Sequence, residues 1–204
     1  MKRRALITGV LIIAAFVWAA TVGAMYQSIR RFEATPGRGA EALPSWPPKS
    51  KIVRAHDKWT LVMLVHPRCG CTKASIQELE RIIEMTGASV QPTIVVYRPS
   101  DFRSGWEKTE VLEAASRVQR ARVVIDNDGE EAKLFGGFTS GQTFLYDRQG
   151  KLRFSGGITS LRGHEGVNRG SMDVVDIVES KARQGVHPVF GCAIVTAAES
   201  EQKK

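Results

Sequence analysis

Twenty-five consecutive uncharged residues, Ala5 to Ile29, follow Met1-Lys2-Arg3-Arg4 and precede Arg30-Arg31. As a helix rising 1.5 Å per residue, this run spans the ~30 Å hydrocarbon core of a bilayer. The basic cluster before it favours Met1 inside and everything after Arg30 outside. The basic pair behind it weakens that bias without reversing it. A cleaved signal peptide is the competing reading, with Val22-Gly23-Ala24 as the small-residue cleavage site. The run exceeds the ~7–15 apolar residues of a signal peptide, which favours an uncleaved anchor. Either way the rest of the chain is exported. Residues 1–31 are therefore expected to be a single-pass anchor in the inner membrane, with the C-terminal domain periplasmic or otherwise extracytoplasmic.

The chain beyond this run is long enough for one domain. Residues 32–51 hold Pro36, Gly37, Gly39, Pro44, Pro47 and Pro48 with little periodicity, the composition of a linker. Residues 52–195, about 145 in all, suit a single core. The last residues, 196–204, read as a polar tail. Of the net charge of +8, five units fall in the first 50 residues, so the exported domain is only mildly basic. With few aromatics and no basic stripe, nothing argues for nucleic acid as a partner.

Within the domain, periodicity and turn residues predict strand 61–65, helix 72–85, strand 90–97, helix 108–116, strand 122–125 and helix 130–135. Strands 143–146 and 151–154 come next, joined by the hairpin signal Asp147-Arg148-Gln149-Gly150. A helix over 172–183 ends the series, with Gly185 as its stop. The order β-α-β-α-β-α-β-β-α implies an α/β layer fold with a parallel core and an antiparallel edge hairpin.

Chemistry concentrates at Cys69 and Cys71. They lie between the strand Leu61–Val65 and the helix from Thr72, behind the break His66-Pro67-Arg68. A helix N-terminus presents unpaired N–H groups and partial positive charge, which favour thiolate over thiol. With Cys192 the count is three, an odd number for a disulfide framework in an oxidising compartment. One thiol is left over, or all three act together in redox exchange or metal ligation. Cys69 and Cys71 are the expected catalytic pair: Cys69, the more N-terminal, attacks a partner disulfide, and Cys71 resolves the mixed disulfide. Cys192 is either a buried structural cysteine or a resolving thiol that needs the terminal segment to fold back beside Cys69.

These residues resemble a known family. A strand running into cysteines at a helix start, then βαβ, a hairpin and a last helix, looks like the thioredoxin fold. The run from Thr139 to Lys151 resembles the strand and hairpin of membrane-anchored thioredoxin-like reductases. Four shorter stretches, His66–Cys71, Phe154–Thr159, Arg162-Gly163-His164 and Val189–Cys192, resemble a bacterial thioredoxin-like group labelled RedB. The resemblance implies a fold with a central mixed sheet, an antiparallel edge hairpin and helices on both faces. It also implies thiol–disulfide oxidoreductase chemistry on partner dithiols or disulfides, with no cofactor. Two departures stand out: the motif is C-x-C rather than C-x-x-C, and Gly141 stands where the family has a cis-proline. Gly141 and Gln142 are then expected on a substrate-facing loop, with open space beside the sulfurs.

That space motivates a second function. Thiolates with an imidazole suit Cu(I), so Cys69 and Cys71 with His164 or His66 would form a copper-binding or copper-delivery site. A non-catalytic binding module of thioredoxin descent is the third reading. His187 and His56 read as solvated. Gly156-Gly157, Gly163, Gly166 and Gly170 superficially suggest a phosphate cradle, but no G-x-G-x-x-G opens a helix, so nucleotide binding is rejected.

Overall fold

The computed structural model describes residues 2–103, 105–182 and 184–195. The polar tail expected over 196–204 lies outside the described residues. The chain divides into two compact units, with the break between Thr35 and Pro36.

The first unit is one helix, α1, Lys2–Ala34. Leu11, Phe16, Trp18 and Val22 are all exposed along it. The stretch Leu6–Ala34, 29 residues, is long and apolar enough to cross a bilayer. A helix apolar on every side cannot bury itself against one neighbour, so it fits a membrane anchor. The Thr8 and Thr21 hydroxyls donate to the Arg4 and Val17 carbonyls one turn back, which satisfies them within the helix.

The second unit is built on one six-stranded sheet. Its strands are β1 Trp59–Val65, β2 Val90–Arg98, β3 Arg122–Asn127, β4 Thr143–Tyr146, β5 Leu152–Gly156 and β6 Gly185–Val186. The helices are α2 Thr72–Thr86, α3 Glu110–Arg117, α4 Glu130–Leu134 and α5 Arg169–Val178. The strand order is β3-β2-β1-β4-β5-β6. β1, β2 and β3 pair in parallel, β4 runs antiparallel to β1 and β5, and β6 pairs in parallel with β5. This is the mixed sheet of the thioredoxin-like fold. The β4–β5 hairpin is not the edge itself, because the two-residue β6 lies outside it.

β1 shows why the sheet is central. Leu61, Met63 and Val65 pack on one face with Ile76, Leu79 and Ile82 of α2 and Val174 and Ile177 of α5. Val62 and Leu64 point to the other face, with Tyr97, Phe135, Phe144 and Tyr146. A strand buried on both faces reads as an unbroken apolar run, and Leu61–Val65 is one.

Most boundaries fall within two residues of the sequence expectation, and α5 departs furthest. Helix α5 starts at Arg169 rather than 172, because Asn168 and Ser171 form a reciprocal cap. It ends at Val178 rather than 183, where Ser180 takes a left-handed conformation. Gly185 opens β6 rather than stopping the helix. The stretch expected to be a spacer, residues 32–51, is laid on the domain from Gly37 onward. Glu41 N–H donates to the Gly136 carbonyl at 2.8 Å and Trp46 N–H to the Gly150 carbonyl at 2.7 Å. The Trp46 ring meets Phe135 and Tyr146 edge-on at 5.1 and 5.0 Å. Ser50 Oγ and Lys51 N–H both donate to Glu131. The prolines suppress regular structure but not packing.

Candidate functional site

The site begins where β1 ends. Cys69 N–H donates to the His66 carbonyl and Thr72 N–H to the Cys69 carbonyl, each at 3.0 Å, and this turn launches α2. Cys71 occupies the N-cap position and its side chain caps nothing. The N-cap side chain therefore leaves the first amides of α2 without a cap.

The other half arrives from the far end of the chain. After β6 the residues 187–195 form an irregular arm held by backbone bonds to several loops. His187 N–H donates to the Ser155 carbonyl, Gly157 N–H to the Pro188 carbonyl and Gly37 N–H to the Val189 carbonyl. Ser140 N–H then donates to the Cys192 carbonyl at 2.8 Å, and Ile194 N–H to the Phe138 carbonyl at 2.9 Å. Thr139 and Ala193 form an antiparallel bridge between these bonds. The Arg162 guanidinium donates to the Gly191 carbonyl. The loop carrying Arg162 is fixed in turn by Gly166 N–H, which donates to the buried Glu78 carboxylate of α2 at 2.6 Å.

The arm brings the Cys192 sulfur to 2.9 Å from that of Cys69. Cys69 is only 1% exposed, while Cys71 and Cys192 are half-buried. The three thiols are electrostatically unequal. Hydrogen bonding from Cys192 is the main cause that lowers the Cys69 pKa to about 5, against the opposing effect of burial. The Thr72 hydroxyl and the Cys192 and Cys71 amides act in the same direction. Donating to Cys69 pushes the Cys192 thiol well above the ordinary range, and burial adds to this. Burial, then the charge on Cys69, raises the Cys71 thiol, while Arg162 opposes the rise. Cys69 is thus the sulfur most readily ionised, and its two neighbours hold their protons more tightly.

Tight approach makes the arm's seat possible. A Cβ on Gly191 would lie 1.9 Å from the Ser140 carbonyl oxygen, and one on Gly157 would lie 2.7 Å from that of Pro188. The glycines that superficially suggest a phosphate cradle partly serve this purpose.

Several expected roles change. Gly141 does not open a gap beside the sulfurs. Its φ of +88° excludes proline, its N–H donates to the Leu64 carbonyl at 2.8 Å, and a Cβ there would meet Ser75 Oγ at 2.8 Å. Gln142 is fully buried and so does not face a substrate. His66 packs between Tyr97 and Trp106, with both ring centroids at 5.6 Å, and its Nδ1 accepts from the Arg68 amide. His164 is half-buried on the loop after Arg162. Among the described residues, no group of three or more His, Cys, Asp or Glu side chains is arranged to hold a metal ion. The copper site expected from Cys69, Cys71, His164 and His66 has no ligand set there. His187 is not a free loop residue: it bonds Asp173 at 2.7 Å and stacks on Phe154. His56 is exposed, as expected.

Sequence reasoning missed Thr72, Ser140 and Arg162. Thr72 directly follows the C-x-C pair, and Ser140 and Arg162 sit inside the stretches that carry the family resemblance, but a hydroxyl or guanidinium carries no spacing signal of its own.

No protein-family model matches the sequence, and no curated protein is significantly similar to it. Solved structures are similar in fold. A hypothetical protein from Sinorhizobium meliloti 1021 aligns with 78% of this chain and 93% of its own, at 19% identity and a TM-score of 0.57. An uncharacterized conserved protein from Geobacillus kaustophilus aligns with 79% and 92%, at 17% identity and a TM-score of 0.56. A secreted disulfide oxidoreductase from Mycobacterium tuberculosis is more distant, at 11% identity over 61% and 82%, with a TM-score of 0.42.

Proposed function

We propose that this chain is a membrane-anchored thiol–disulfide exchange protein of the thioredoxin-like class, akin to the RedB group, working on the extracytoplasmic side of the inner membrane. The carrying observation is the buried Cys69 sulfur at the start of α2 with the Cys192 sulfur 2.9 Å away, and the lowering of the Cys69 pKa supports it. The apolar stretch Leu6–Ala34 of α1 and the basic residues Lys2, Arg3 and Arg4 before it support the location.

The chemistry runs in two balanced steps. The Cys69 thiolate attacks one sulfur of a partner disulfide, forms a mixed disulfide and releases a partner thiolate. The Cys192 thiol gives up its proton, which the released partner thiolate takes, and its sulfur attacks Cys69. The second partner thiolate leaves, and a Cys69–Cys192 disulfide remains. The partner gains two electrons and the chain loses two. Run in reverse, a partner dithiol is oxidised. Because Cys69 is covered, a partner reaches it only when the arm 187–195 lifts, and the arm's return delivers the resolving thiol.

Cys192, not Cys71, takes the resolving role in this reading. A C-x-C bridge is tight and strained, whereas the long-range pair is already in contact. The test uses full-length protein in detergent with an aromatic disulfide reagent. Cys192→Ser should stall as a mixed disulfide on Cys69, while Cys71→Ser resolves normally. Stalling by Cys71→Ser and normal turnover by Cys192→Ser would reassign the pair.

A further inference from the structure

The segment that follows α1 in sequence is part of the arm's seat. Gly37 is the third residue after the end of α1, and from there the chain is bound to the loop 136–140. Glu41 N–H donates to the Gly136 carbonyl at 2.8 Å, and Thr139 Oγ1 donates to the Arg38 carbonyl at 2.9 Å. The Arg38 guanidinium lies over the Phe138 ring, 3.6 Å from its centroid, and pairs with Glu41 at 2.7 Å.

The same loop holds the arm. Ile194 N–H donates to the Phe138 carbonyl, Ser140 N–H to the Cys192 carbonyl, and Thr139 bridges Ala193. Thr139, 1% exposed, is where the two attachments meet. A Cβ on Gly37 would lie 2.6 Å from its Cγ2, and one on Gly191 would lie 3.3 Å from the same atom. One bond also joins the segment to the arm directly. Gly37 N–H donates to the Val189 carbonyl at 2.8 Å, three residues before Cys192. Val189 is 1% exposed, and a buried carbonyl deprived of its donor is costly.

Resting on the exchange reading above, we propose that residues 37–41 are a clasp on the Cys192 arm: they hold it against Cys69, and the arm leaves more readily once Gly37 releases Val189. The stretch that joins the anchor to the domain thereby takes part in deciding when Cys69 is uncovered. The clasp is separable by construction. Gly37, Arg38, Gly39, Ala40 and Glu41 bring no large apolar side chain to the contact. Release breaks a few hydrogen bonds and leaves the core under the sheet intact, the kind of opening that lies at the low end of local stability.

The test uses reduced full-length protein in detergent, with iodoacetamide as the probe. Mass spectrometry reads the alkylation rate of Cys69, and amide hydrogen exchange in the arm against that in β1. Reaction of a covered group follows the population of the open form when closing is fast. Gly37→Ala forces a Cβ against Thr139 and should raise both the Cys69 rate and exchange in the arm by about tenfold, the worth of one to two hydrogen bonds, with the β1 amides unchanged. Thr139→Val keeps the side chain's shape, removes the bond to Arg38, and should raise both by about threefold. Ser50→Ala loosens the same connecting segment at Glu131, away from the arm, and should leave both as in the parent. Unchanged rates in Gly37→Ala or in Thr139→Val overturn the proposal. So does a rise that spreads equally to the β1 amides, or one that Ser50→Ala reproduces. Thr139→Val, which exchanges a hydroxyl for a methyl group, keeps the test decisive if Gly37→Ala does not fold. No disulfide partner is present, so the clasp stands or falls separately from exchange activity.

Discussion

The start of α2 and the C-terminal arm supply one sulfur each to the same contact, yet they are built in opposite ways. Cys69 is placed by a local device: a strand, a three-residue break and a helix within a dozen residues. Cys192 is placed 123 residues away in sequence by a run of backbone bonds to Gly37, Phe138, Ser140, Ser155 and Gly157. The local device creates charge, and the long-range device supplies its nearest donor. The two can therefore be broken separately, and doing so shows what each contributes.

The largest effect should come from the local half. Cys69→Ser should abolish exchange with any disulfide substrate, because no other sulfur in the site ionises as readily. Cys71→Ser should leave most of the activity. Equal losses from both substitutions would mean that the C-x-C pair works as a unit.

The next effect concerns ionisation. Cys69 has its pKa lowered to about 5 and Cys71 is raised above the ordinary value of 9.0. A lowered pKa means the charged form is present from about pH 5 upward. Alkylation of reduced protein, mapped by mass spectrometry, should thus show Cys69 reacting from mildly acidic pH and Cys71 only in alkaline solution. Cys192→Ala should move the Cys69 profile to higher pH, since its main donor is lost. Coincident profiles for Cys69 and Cys71 would remove the distinction between them.

A smaller effect should come from disturbing the arm's seat. Gly191→Val places carbon atoms against the Ser140 carbonyl, and overpacking of this kind typically costs about 1–3 kcal/mol. Thermal unfolding should report that loss, and alkylation of Cys69 should speed up as the arm detaches. Leu79→Ala, deep under the sheet, would cost about 2–5 kcal/mol without selectively exposing Cys69. If Gly191→Val destabilises without opening Cys69, the arm does not control access.

The same contrast explains what can be read from the sequence. Alternation and helical spacing place the principal strands and helices within a few residues, because β1 and α2 carry their signals locally. The charge-favouring position of Cys69 comes from the same stretch. The sequence raises the fold-back of the arm only as one reading of Cys192, because most of the bonds that seat the arm run backbone to backbone and no residue type announces them. Its traces are Gly157 and Gly191, needed for close approach, and these resemble ordinary turn glycines. Gly141 misleads for the related reason that a missing side chain looks like space, whereas Ser75 fills it. The segment 37–51 reads as a spacer because prolines erase periodicity, although Trp46 in such a stretch signals a buried contact.

The most direct measurement of the Cys69–Cys192 pairing is a disulfide map. Full-length protein is mildly oxidised in detergent, the remaining thiols are blocked at low pH and the chain is digested. The expected product joins the peptide containing Cys69 to the one containing Cys192, with Cys71 blocked as a free thiol. A single peptide bridged internally between Cys69 and Cys71, with Cys192 free, would contradict it.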